Sequence, residues 1–89
     1  MDMLDDLIGR VVVLDTKSPM LYIGTLAEAN DYYLTLTDAD VHNMDDSLTT
    51  RDVYTMEAKK LGIHANRKRV VVRHAEVVSA SALDDIVEY

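Results

Sequence analysis

The chain has 89 residues, 48% apolar and 28% charged, with no cysteine and a formal charge of −7. That length allows one domain and one main core, and the composition is that of a globular protein rather than a disordered one. The lack of cysteine excludes a disulfide framework and thiolate metal sites, and the acidic total argues against general nucleic-acid affinity.

The first residues, Met1-Asp2-Met3-Leu4-Asp5-Asp6, are acidic where a secretion signal would be basic. No apolar run approaches the ~20 residues that span a bilayer. No membrane partner is therefore expected, and the cytosol, a cytoplasmic setting, is the default compartment. Within residues 2–8, Leu4, Leu7 and Ile8 share one helical face, and Gly9 suits a helix stop, so one short helix lying on a sheet is expected.

Val11-Val12-Val13-Leu14 is a β-branched run followed by turn residues Asp15 to Pro19. A second strand is expected from Met20 through Leu26, and a third from Tyr32 to Val41 with Leu34 and Leu36 on one face and Thr35 and Thr37 on the other. Gly24 lies inside the second strand, where glycine weakens pairing unless the backbone bends sharply or meets another chain closely. The spacing leaves no room for crossover helices, so the strands form an antiparallel meander.

Residues 43–47 are turn chemistry, and residues 50–62 read as a helix capped by Thr49 or Thr50, with Lys59 and Lys60 near its end and Gly62 closing it. Val53, Met56 and Leu61, with Tyr54 and Ala58, make a rough apolar stripe on it. Residues 67–79 return to strand, and Val70-Val71-Val72 puts valine on both faces, which suggests cover from both sides, the second from a neighbouring subunit. Residues 83–89 read as a short helix or a loose tail.

The pattern resembles the Sm/Sm-like (LSm) family. Its first signature is matched by Gly9, Val11, Val13, Tyr22, Gly24-Thr25-Leu26, Leu34, Leu36 and Asp38-Ala39; its second by Val71-Val72-Arg73 and Val77-Val78. The resemblance implies a mainly β fold, a small, strongly bent five-stranded antiparallel (SH3-like) barrel with an N-terminal helix, here carrying a helical insert at about 43–66 in a single domain of residues 1–89. It also implies a homo-oligomeric ring closed by pairing strand four of one subunit with strand five of the next, with Val70, Val71, Val72, Val77 and Val78 at that interface. Closure of this kind removes exposed strand edges.

Family members that bind uridine-rich RNA carry Asp-x-apolar-Asn in the loop between strands two and three. Here the stacking position falls on Tyr32, the asparagine position on Tyr33, and the acidic position on Asn30 or Asp31. The glycine that follows the second-signature arginine is His74, so Arg73 is kept and its neighbour is changed. The RNA-binding candidates are thus Tyr32, Tyr33, Asn30, Asp31, Arg73 and His74. An aromatic face accepts any base, whereas both tyrosines also suit a strand with one packed and one at the rim. Arg73 and His74 line a central opening on the family's pattern, or form a surface pair with Glu76.

Charge is unevenly spread. Residues 1–46 hold ten acids and two basic residues, and residues 51–76 hold seven basic residues against three acids. Arg67-Lys68-Arg69 with Lys59 and Lys60 offers a phosphate-contacting patch, a solvated edge, or a surface for an acidic adjacent subunit. His42, His64 and His74 lack metal-ligand spacing, so no metal and no cofactor is expected. The pairs Asp5/Asp6, Asp45/Asp46 and Asp84/Asp85 lie in terminal or turn contexts, and Ser18, Ser47 and Thr49 lack an adjacent base, which points away from an enzyme. Two functions remain: a ring that binds single-stranded RNA, or a ring scaffold for an unidentified protein that has lost RNA binding.

Overall fold

The computed structural model describes residues 3–88, so Asp2 of the expected first helix and Tyr89 of the tail lie outside it. Five strands form one antiparallel sheet: β1 (Val11–Thr16), β2 (Met20–Ala29), β3 (Tyr33–Asn43), β4 (Arg67–Arg73) and β5 (Val77–Ala82). Their order is β4-β3-β2-β1-β5, so β4 and β5 are the two edges.

The first helix is a 3-10 helix over Met3–Leu7 rather than an α-helix. Three residues per turn align Leu4 with Leu7, which pack against the core, and rotate Ile8 away, leaving it 40% exposed. The run expected as strand over 67–79 is interrupted by a 3-10 turn at His74–Glu76, which lets the chain leave β3 and pair with β1. The tail adds a 3-10 turn at Leu83–Asp85.

The sheet is shaped at Gly24. A Cβ there would lie 2.9 Å from both Cα and Cβ of Ala39 and 3.0 Å from the Thr37 carbonyl oxygen, so only glycine lets β2 and β3 approach this closely. Opposite it, the register steps from Ile23↔Asp40 to Thr25↔Thr37, which places one extra residue in β3. Asp38 absorbs that β-bulge with a φ of 48°, a left-handed conformation that aspartate tolerates better than most side chains. One inserted residue reverses the alternation of faces. Leu34 and Leu36 point to one side, and past the bulge that side receives Ala39 instead of Asp40.

The resulting first core draws on all five strands: Val12, Leu14, Leu26, Leu34, Leu36, Ala39 and Val72 are buried, with Val70, Val77 and Ala80 packed against them. A second core forms on the opposite face from Val13, Leu21 and Ile23, covered by the helix α1 (Arg51–Leu61) and by Leu83. Burying Leu21 and Ile23 completely is worth about 1.5–3 kcal/mol each, more than any exposed ion pair on the helix supplies.

Helix α1 starts where Thr50 Oγ1 accepts from the Val53 amide at 3.2 Å, and it stops at Gly62, whose φ of 94° disfavours any other residue. Its buried side is Tyr54, Thr55 and Ala58 with Arg51; of the expected apolar stripe, Tyr54 and Ala58 face the sheet, Met56 is half-buried, and Val53 and Leu61 are exposed. Arg51 donates to Asp15 at 3.3 Å and to the Ser18 carbonyl at 2.7 Å, tying the helix start to the β1–β2 turn. Tyr54 stacks on His42 at 4.3 Å and donates its hydroxyl proton to the buried Asp40 carboxylate. Lys59 Nζ donates to the carbonyls of Asp84 and Ile86, holding the tail across the helix.

Replacing Gly24 with alanine is expected to cost about 1–3 kcal/mol in denaturant unfolding, because rigid backbone must move. Tyr54→Phe leaves Asp40 buried without its donor and is expected to cost about 1–3 kcal/mol by the same measurement. Burial, then the bond to Asp40, raises the Tyr54 hydroxyl pKa far above its ordinary value. Its folded-state proton is thus held while the unfolded tyrosine ionises near about 10. Stability is expected to fall as pH rises above that value, and to fall less steeply in Tyr54→Phe.

Candidate nucleic-acid interface

Tyr33 begins β3 and Arg73 ends β4, and the two are paired across the sheet. This register sets the loop before β3 beside the turn after β4, two segments that are 40 positions apart between Tyr33 and Arg73. The contact is sealed by the His74 amide donating to the Tyr32 carbonyl at 2.8 Å.

The β2–β3 loop is built around Asn30. Its side-chain oxygen accepts from the amides of Tyr32 and Tyr33, both at 2.8 Å, and its own amide donates to the Tyr33 carbonyl at 2.9 Å. Asn30 therefore serves as the support of a tight turn, and the asparagine oxygen is already taken. With the backbone so held, Tyr32 is 74% and Tyr33 51% exposed, unusual for large rings in a small domain.

Asp31, Tyr32, Tyr33, Arg73 and Ala75 line one shallow pocket of about 130 Å³. Two rings, a guanidinium and a carboxylate thus converge on an open surface. Of the six residues singled out from the sequence, Asp31, Tyr32, Tyr33 and Arg73 line the pocket, Asn30 supports it, and His74 joins its halves through the backbone. Ala75 is the residue that sequence reasoning missed; it comes in because the 3-10 turn at His74–Glu76 folds it towards the tyrosines.

The valines of the expected interface divide. Val72 is a core residue, and Val70 and Val77 pack on that core, whereas Val71 (52%) and Val78 (66%) are exposed on the two edge strands. The second cover expected over Val70-Val71-Val72 is not supplied from within the described chain. Arg67, Lys68, Arg69 and Arg73 are exposed, and none of them is ion-paired among the described residues. Lys59 is used on the tail carbonyls and Lys60 lies 3.9 Å from Glu88, so neither joins Arg67–Arg69 in one patch.

Two further features bear on the chemistry. Among the described residues, no group of three or more His, Cys, Asp or Glu side chains is placed to hold a metal ion. Nor is any helix long and apolar enough to cross a membrane. A second pocket, of about 80 Å³, lies under α1 and is lined by Asp40, Tyr54, Glu57 and His64, whereas His74 belongs to the turn after β4.

Removing the Asn30 side chain frees two amides at once. Asn30→Ala is expected to raise hydrogen exchange at the amides of Tyr32 and Tyr33 while leaving those of β2 and β3 protected, as followed by NMR.

No protein-family model matches the chain, and no curated protein matches it closely. Among solved structures, it is similar to an Sm protein of Pyrococcus abyssii in complex with a uridine heptamer. The identity is 16% over 92% of this chain and 99% of the other, with a TM-score of 0.61. That likeness, together with the five-stranded bent sheet, shows an Sm-like fold.

Proposed function

We propose that the chain is a ring-forming Sm-like protein that binds single-stranded RNA in the pocket between the β2–β3 loop and the β4–β5 turn. The observation that carries this reading is the convergence of two exposed tyrosines with Arg73 on one surface, held by the Asn30 turn and the His74–Tyr32 backbone bond. Tyr32 and Tyr33 offer π-faces on which bases stack, and Arg73 offers a planar cation for a phosphate or a base edge. The Sm protein with the similar fold was solved with a uridine heptamer, which makes single-stranded RNA the first ligand to try.

The open edges support the ring. Among the described residues, β4 pairs only with β3 and β5 only with β1, which leaves two open strand edges with an exposed valine on each. Pairing between copies satisfies both edges, which a chain of this size otherwise leaves as aggregation sites. The alternative, a ring scaffold that binds a protein instead of RNA, draws on the charge of −7.

Native mass spectrometry of protein purified without nuclease tests both parts. A multiple of the chain mass plus an increment that ribonuclease removes is expected; a clean oligomer would favour the scaffold. Fluorescence anisotropy with uridine-rich and adenine-rich oligonucleotides then tests the pocket. Tyr32→Ala and Arg73→Ala are each expected to weaken binding by about 1–3 kcal/mol, roughly five- to 150-fold. Absence of binding to either oligonucleotide at low salt would end the RNA reading.

A further inference from the structure

The two open edges differ in charge: β4 is cationic, and β5 is uncharged but flanked by acids. Along β4, Arg67, Lys68, Arg69 and Arg73 are exposed and no acid interrupts them. β5 contains no charged residue, but Glu76 precedes it and Asp84 and Asp85 follow it, all exposed. Asp85 is 3.9 Å from Arg10, an exposed and weak contact, while Glu76 and Asp84 have no ion-pair partner among the described residues. The cations are concentrated at the start of β4 and the acids at the end of β5.

We propose that these charges sort the edges, so that β4 of one copy accepts only β5 of a second copy, running antiparallel with Arg67, Lys68 and Arg69 beside the partner's Asp84 and Asp85. This rests on the ring reading above and adds what selects and regulates the pairing. Antiparallel alignment sets the start of one strand beside the end of the other, which matches the denser cationic cluster to the acidic pair and Arg73 to the partner's Glu76. The parallel alignment would give the three cations a single acid. Pairing β4 with β4 sets cations against cations, and β5 with β5 sets acids against acids; like charges facing each other across strands are destabilising. Two-fold dimers through either edge are therefore disfavoured, and only the head-to-tail contact remains, the kind that generates rings. Because the charges are exposed, the assembly is salt-sensitive: the screening length falls from about 10 Å at 0.1 M to about 3 Å at 1 M.

The test is sedimentation or light scattering of the full chain across that salt range, with two charge-reversed variants. One carries Arg67→Glu, Lys68→Glu and Arg69→Glu; the other carries Asp84→Lys and Asp85→Lys. The unaltered chain is expected to be oligomeric at low salt and to dissociate as salt rises. Each variant alone is expected to be monomeric at low salt, and an equimolar mixture is expected to assemble with both chains in one complex. Circular dichroism checks that each variant is folded; where one is not, the salt titration of the unaltered chain decides. An oligomer of unchanged mass in the folded variants, or one indifferent to salt in the unaltered chain, overturns the charge sorting and leaves the ring standing. A monomer at every salt concentration overturns the ring itself.

Discussion

The structure depends on one close approach, that of the Gly24 backbone to Ala39. Because no side chain stands between them, β2 and β3 stay paired through a bulge that shifts β3 by one residue. Everything beyond that point on β3 faces the other way from where alternation alone would send it. Ala39 joins Leu34 and Leu36 in the core shared by all five strands, and Asp40 and His42 emerge on the opposite face. A polar pair is thereby delivered to a surface that also carries the apolar side chains Leu21 and Ile23.

That mixed surface is what α1 covers. The helix brings a small residue, Ala58, over the apolar part and a tyrosine over the polar part. Tyr54 is suited to both demands, since its ring stacks on His42 and its hydroxyl serves the Asp40 carboxylate. Arg51 and Lys59 then fix the two ends of the helix to a turn and to the tail. A single sheet of this size has little core, and closing its second face with the chain's own helix and tail adds buried surface without a partner. The helix is consequently a cover for its own sheet rather than a projecting arm, although Val53 and Leu61 on it stay exposed.

The other face of the argument is at the sheet's ends and edges. Register pairs Tyr33 with Arg73, so the aromatic loop and the arginine meet whatever else the chain does. The edges remain open because β4 and β5 do not reach each other within one copy. The proposed ring rests on the charges and exposed valines of these edges and is independent of the pocket, on which the proposed RNA binding rests. The acidic total charge is compatible with both, since screening over about 8 Å at physiological salt lets local groups act on their own.

The sequence by itself determined the first three strands, the turns between them and the bounds of α1, because these rest on local physics: β-branched runs, a threonine cap, and glycine at a helix end. It also marked Gly24 as the bend, and the family resemblance singled out Tyr32, Tyr33 and Arg73. What it did not carry was the break at His74–Glu76, where a run of strand-forming residues is divided by pairing with β3 on one side and β1 on the other. Nor did it carry the buried side of α1, since Tyr54, Thr55 and Ala58 are chosen by the Asp40 and His42 beneath them, and those are exposed to the helix only through the bulge. The support role of Asn30 and the arrival of Ala75 were likewise decided in three dimensions. Propensity acts within a few residues, whereas faces and neighbours are set by register between strands, and here one inserted residue in β3 was enough to reassign them.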